Sequence, residues 1–210
     1  MDNLLSVEEA TNTVYTSLEE FTGWKFLKSQ RCLKKKIKDL ELCIDFYTSK
    51  WNSSHEYVGL NADFKIVYKK LGKLPVQNTV AFYEYRPLSG DDMYWFDIST
   101  TDMLMTTIDC LKREIKDTAL SLADRIENDL ENAIRSLLVD HFEEYHVRLE
   151  FVADILGEDA ILQRVEKIIK SLSEEEKQQI KDYRNGARTK QWMLNPSDLR
   201  YIVDNNYVNF

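Results

Sequence analysis

Leu40-Glu41-Leu42-Cys43-Ile44-Asp45-Phe46-Tyr47 alternates apolar and polar side chains along its whole length. A period of two sends Leu40, Leu42, Ile44 and Phe46 to one face of an extended chain and Glu41, Cys43, Asp45 and Tyr47 to the other, the pattern of a half-buried strand. The stretch Val58 to Ile66 repeats it, with Val58, Leu60, Ala62, Phe64 and Ile66 against Gly59, Asn61, Asp63 and Lys65. Thr79 to Arg86 and Met93 to Ile98 are rich in β-branched and aromatic residues, and Leu33 to Lys38 is a weaker strand. Turn chemistry separates these runs: Asn52-Ser53-Ser54, Leu71-Gly72-Lys73-Leu74-Pro75 and Pro87-Leu88-Ser89-Gly90-Asp91-Asp92. Short turns between successive strands imply an antiparallel meander, since parallel strands need long crossovers.

Outward from the strands the period becomes helical. Val7, Ala10, Val14, Leu18 and Phe21 recur at spacings of three and four, behind the capping box Ser6–Glu9 and ahead of Gly23 as C-cap. From Thr100 to Leu156 no Gly or Pro intervenes, and Leu104, Ile108, Leu111, Ile115, Leu122, Ile126, Leu130, Ile134 and Leu137 form one stripe. This predicts one long helix, or two joined by a subtle break near Lys116 to Thr118. Gly157 ends it. Ala160 to Leu172 is a further helix, Ser173 with Glu176 caps the next, Asn185-Gly186 stops that one, and Asn195-Pro196 opens another. The expectation is an α+β protein: an antiparallel sheet of four to six strands with an N-terminal helix and long C-terminal helices. Residues 1–157 form the α+β domain, and 158–210 form a helical extension or brace.

Composition excludes several classes. With 43% apolar and 30% charged residues, the 210-residue chain can bury a core and is not a disordered tail. The start, Met1-Asp2-Asn3-Leu4-Leu5, lacks the basic and apolar regions of a secretory signal, and no run approaches the length of a membrane span. Cys32, Cys43 and Cys110 are odd in number and form no Cys-x-x-Cys, so free thiols in a reducing cytoplasm are expected.

Charge is divided unevenly. Trp24 to Lys73 holds 12 Lys or Arg against 5 Asp or Glu, whereas the whole chain carries −8. Lys25, Lys28, Arg31, Lys34 and Lys36 are a candidate basic patch, with Trp24, Phe26, Tyr47 and Trp51 nearby. Strand pairing offers a plainer role. A hairpin turning at Asp39-Leu40 places Lys38, Lys36 and Lys34 opposite Glu41, Cys43 and Asp45. Lys35 then points inward. A chain with an acidic isoelectric point of 5.0 also weakens any general attraction to phosphate, so nucleic acid ranks third among partners.

Catalytic motifs are sparse. Asp140-His141-Phe142-Glu143-Glu144-Tyr145-His146 contains Glu-x-x-His, but a bundle di-metal site needs a second copy and His55 has none. No Gly-x-Ser-x-Gly, phosphate loop or His-Glu-x-x-His is present. Cys110 sits in the apolar helical stripe. Asp91, Asp92 and Asp97 flank the strand around Trp95, and Asp91-Asp92 reads as a turn before a cation site. No catalytic residue, metal site or cofactor is therefore assigned. The apolar end, Tyr201-Ile202-Val203 and Tyr207-Val208-Asn209-Phe210, is expected to dock on the body of the protein.

Gly23-Trp24-Lys25-Phe26-Leu27-Lys28, then a basic strand, then Ile44-Asp45-Phe46-Tyr47-Thr48-Ser49-Lys50-Trp51 and a strand from Tyr57 to Ile66, resembles the bacterial DUF4304-type families over about residues 10–100. The resemblance implies an antiparallel sheet with flanking helices and carries over no catalytic residue. The leading functional expectation is a cytoplasmic, non-enzymatic protein-interaction module, accessory or immunity-like, with another protein as partner and self-association as a further option. The alternative is a small-ligand site or enzyme on an aromatic sheet face of Tyr47, Trp51, Tyr83, Tyr85 and Arg86.

Overall fold

A computed structural model describes residues 4–73, 75–87, 95–141, 144–186 and 198–208. It is α+β, with an antiparallel sheet preceded by one helix and followed by several. Helix α1 (Val7–Thr22) starts on a complete capping box between Ser6 and Glu9. It stops at Gly23, whose φ of 65° is a left-handed conformation that glycine adopts without a Cβ clash. Then come β1 (Lys25–Leu27), β2 (Cys32–Ile37), β3 (Leu40–Thr48), β4 (Gly59–Tyr68), a one-turn helix α2 (Pro75–Asn78), β5 (Thr79–Tyr85) and β6 (Phe96–Asp97). The sheet order is β1-β2-β3-β4-β5, with β6 paired to the start of β4.

The β2–β3 hairpin turns at Lys38-Asp39, one residue earlier than Asp39-Leu40, and its closing pair is Ile37 with Leu40. Both of those side chains are buried. A turn at Asp39-Leu40 would have left Leu40 in water, so burial decides the register and Lys38 accepts a φ of 53°. The register moves by two residues, so every side chain keeps its expected face. Lys36 lies opposite Glu41, Lys34 opposite Cys43, and Cys32 opposite Asp45.

The helical half is more broken than the uninterrupted stripe suggests. Helix α3 (Thr101–Ile115) passes through a wide π turn at Lys116–Leu120, where a break was expected, into α4 (Ser121–Asn128). Asp129 is extended, and the Asn128 side chain caps the Asp124 carbonyl at 3.0 Å. Helix α5 (Leu130–Asp140) ends before a turn rather than running on to Leu156. Tyr145, Val147 and Leu149 are buried while Glu144 and His146 are exposed, a period of two within the supposed helix. The chain continues as α6 (Leu149–Leu156), α7 (Leu162–Ser171), α8 (Glu174–Arg184) and α9 (Asp198–Asp204). Ser173 and Glu176 form the expected capping box of α8. The predicted start at Asn195-Pro196 lies outside the described residues.

The chain divides into two compact units: Met1–Val67 with Phe82–Asp129, and Tyr68–Ala81 with Leu130–Phe210. Residues 158–210 thus share a unit with residues 130–157. In the first unit, the even-numbered residues of β3 and β4, from Leu40 to Phe46 and from Leu60 to Ile66, are buried on the sheet's inner face. Tyr15 of α1 stacks on Phe26 at 4.6 Å between centroids and meets Phe46 at 5.1 Å. The inward Lys35 finds Glu127 of α4 at 2.8 Å. In the second unit, Phe151 of α6 meets Tyr68 edge-on at 5.3 Å, and Ile202, Val203 and Val208 are buried.

Phe46→Ala removes the aromatic contact between α1 and β3 and leaves a cavity. It is expected to lower unfolding free energy by about 3–4 kcal/mol. Ser6→Ala, which loses only the helix cap, is expected to cost about 1 kcal/mol. Urea unfolding of both variants checks the difference.

Candidate functional site

The polar positions of β2, β3 and β4 share the outer face of the sheet. This face collects Cys32, Lys34, Glu41, Cys43, Asp45, Tyr47, Asp63 and Lys65, with Glu84 of β5 beside Asp63. Lys34 Nζ meets Glu41 Oε2 at 3.1 Å, and Lys65 pairs with Asp45. These pairs are diagonal or cross-strand neighbours on one face, the ordinary chemistry of an antiparallel ladder. What distinguishes them is burial. Cys32, Cys43 and Asp63 are buried on the face that the alternation assigns to polar residues.

Burial sets the electrostatics. Asp63 is pushed up to about 6, first because its carboxylate is desolvated and then because Glu84 adds like charge; the nearby Tyr47 hydroxyl opposes both. The Tyr47 phenol is raised by burial and by the charges of Asp45 and Asp63. Cys32 and Cys43 lie together in a small buried cluster. Their interaction, aided by burial, raises Cys32; the same interaction lowers Cys43 against its burial, helped by Lys34. Lys34 keeps its proton more firmly than usual, because Glu41 and the adjacent thiols outweigh the burial that opposes its charge.

At the end of β3 the chain enters a braced loop. The Asn52 side chain both accepts from Gly59 N at 2.8 Å and donates to Gly59 O at 3.0 Å. Ser53 N donates to Tyr57 O at 2.8 Å. A Cβ on Gly59 would stand 2.6 Å from the Tyr57 hydroxyl, so a larger residue there would push the Tyr57 ring aside. The loop presents Trp51, which is 74% exposed, with Lys50 Nζ 4.9 Å from its ring centroid.

The five aromatic-face residues are not brought together. Tyr47 is on the outer face and Trp51 on the loop beyond it. Tyr85 is buried on the inner side with its hydroxyl 3.0 Å from Thr118 Oγ1 in the π turn. Tyr83 donates to Glu114 at 3.4 Å, and exposed Arg86 pairs with Glu84 at 2.8 Å. Of the basic patch, Lys25, Lys28, Arg31 and Lys36 are exposed and Lys34 is tied to Glu41. His141 meets Glu144 at 2.8 Å in a turn, not on a helix, and Glu143 lies outside the described residues, as do Asp91 and Asp92. Among the described residues no three His, Cys, Asp or Glu could hold one metal ion.

The second unit has its own open cleft of about 390 Å³, lined by Gln77, Arg148, Glu150, Arg200, Tyr201 and Asp204 among others. Its guanidinium groups are matched internally: Arg148 with Glu150 at 2.5 Å, and Arg200 with Asp204 at 3.3 Å. Burial, then Tyr207, pushes Tyr201 up to about 12, so its hydroxyl stays protonated near neutral pH.

Sequence alternation places the ladder but gives no sign of the buried carboxylate. Asp63 and Tyr47 sit on different strands, and only pairing of β3 with β4 joins them. No family model, no curated protein and no solved structure matches the chain. Among the described residues no helix is long and apolar enough to cross a membrane.

Asp63 gives the outer face a pH signature. Its folded value of about 6 lies above the ordinary carboxylate value, so between these limits the native state holds the proton more tightly. The associated stability is complete at low pH and is lost as pH rises through 6. Asp63→Asn removes the loss. It is expected to stabilise the protein at pH 8, relative to its effect at pH 4, by about 1–2 kcal/mol. Urea unfolding of both proteins at the two pH values checks the sign.

Proposed function

We propose that the chain is a cytoplasmic, non-catalytic protein-recognition module that meets its partner through Trp51, Tyr47 and the charged outer face of the sheet. An accessory or immunity-like role against another protein is its concrete form. The observation that carries the reading is Trp51, three-quarters exposed on a loop held by both polar atoms of Asn52. An exposed tryptophan loses hydration favourably when a partner covers it, and a pre-braced loop orders little on binding. Tyr47 and the paired charges beside it supply a polar rim that fixes orientation and suppresses wrong partners. The three cysteines are free and buried, which suits a reducing compartment. The resemblance to DUF4304-type families fits the same reading without adding chemistry to it.

Affinity capture from host lysate at low salt, with wild-type protein and Trp51→Ala side by side, tests this. A protein retained by the wild type is purified and titrated. Trp51→Ala is expected to weaken it by roughly thirtyfold or more, the loss of about 2 kcal/mol typical of a central aromatic, with thermal unfolding unchanged. Equal binding by the variant sinks the reading. So does stoichiometric recovery of a small molecule or nucleic acid in place of a protein.

A further inference from the structure

Two thiols stand on the polar face of a sheet, where alternation calls for side chains that reach water. Cys32 lies opposite Asp45 and Cys43 opposite Lys34, which makes the two cysteines diagonal neighbours on adjacent strands and the same face. They touch each other and Val67 in a small buried cluster. The groups facing the pair are Lys34 with Glu41 and Lys65 with Asp45, two cations each balanced by a carboxylate; Asp63 and Tyr47 follow further along the face. The Cys32 thiol donates toward Leu33 O at 3.2 Å.

The two thiols are therefore inequivalent. Cys43 stands opposite the Lys34 cation, which favours its thiolate, whereas Cys32 stands opposite the Asp45 carboxylate, which favours its thiol. Such a division gives one sulfur to attack and one to resolve. Cys110, by contrast, lies in the apolar stripe of α3 with Arg113 3.8 Å from its sulfur.

We propose that Cys32 and Cys43 are a peroxide-oxidisable dithiol, with Cys43 the attacking sulfur and Cys32 the resolving one. In the first step the Cys43 thiolate attacks one oxygen of hydrogen peroxide. An S–O bond forms, the O–O bond breaks, and hydroxide leaves and takes a proton to become water. In the second step Cys32 sulfur attacks Cys43 sulfur. The S–S bond forms, the S–O bond breaks, and the departing hydroxide takes the Cys32 proton. Two thiols are oxidised by two electrons, and one peroxide is reduced to two waters. A low-molecular-weight thiol returns the pair to its starting state by exchange, two equivalents becoming one disulfide. Because the two cysteines are diagonal neighbours on one face of paired strands and share a buried cluster, closure draws them together without slipping the register. The inference does not rest on protein recognition and stands or falls separately.

The test uses the full-length reduced protein under native conditions with stoichiometric hydrogen peroxide, followed by unreduced peptide mapping by mass spectrometry. The expected product is a peptide joining Cys32 to Cys43, two hydrogens lighter and reversed by dithiothreitol, with Cys110 still a thiol. In Cys32→Ser a dimedone adduct is expected to accumulate on Cys43. In Cys43→Ser peroxide consumption is expected to slow by roughly tenfold or more. Competition between Cys43 and Cys110 for limiting iodoacetamide, measured within the wild-type chain, needs no variant and is expected to favour Cys43. Oxidation falling first on Cys110, dimedone on Cys32 in place of Cys43, or Cys43 driven to sulfinic acid without a cross-link each overturns the proposal.

Discussion

The closing pair of the β2–β3 hairpin, Ile37 against Leu40, constrains the rest of the first unit. Both side chains are buried, and the two-residue turn between them leaves one register open to the strands. A slip of one residue would carry Leu42, Ile44 and Phe46 to the outer face and bring Glu41, Cys43 and Asp45 against α1. Each apolar side chain so exposed forfeits about 1.5–3 kcal/mol of burial. No cross-strand ion pair, worth about 0.2–1 kcal/mol, competes with that. The contacts that give the outer face its character, Cys32 with Cys43 and Lys34 with Glu41, are consequences of a register chosen by apolar residues on the opposite side.

The same asymmetry explains how far the sequence could be read. Strands β3 and β4 were legible because a period of two acts on residues whose burial differs sharply, and α1 because Ser6, Glu9 and Gly23 each satisfy a specific backbone need at its ends. The turn falls at Lys38-Asp39, one residue earlier than Asp39-Leu40, because Lys38 and Asp39 are both charged while Leu40 belongs to the apolar set and is buried. Strand β1 escaped notice because three residues carry too little pattern. The long helical stripe misled for a related reason. A stripe at 3.6 continues across the break at Asp129, where neither Gly nor Pro stands, because each flanking helix is amphipathic in its own right. The alternation from Tyr145 to Leu149 was present in the residues and was overridden by the longer periodic run around it.

The outer face was legible in outline only. Alternation placed Lys34, Lys36, Glu41, Cys43 and Asp45 together, as the structure has them. It could not show that Asp63 is buried beside Glu84 and near Tyr47, because those relations run between strands distant in sequence. Grouping Tyr47 and Trp51 with Tyr83 and Tyr85 relied on residue type alone. Tyr83 and Tyr85 engage Glu114 and Thr118 on α3 and the π turn behind it, which makes them part of the packing of helix on sheet.

The divided charge acquires a definite meaning from these placements. Three lysines of the basic stretch meet carboxylates, Lys34 with Glu41, Lys65 with Asp45, and Lys35 with Glu127 of the acidic helical half. Attraction to a polyanion depends on cations whose counterions can be released, and a lysine already held by a carboxylate releases few. The exposed cations Lys25, Lys28 and Lys36 belong to β1, β2 and the turn between them, whereas the braced Trp51 follows β3. A surface of paired charges presents little net field and so offers a polyanion weak general attraction, which is why nucleic acid stands behind protein recognition in the proposed reading.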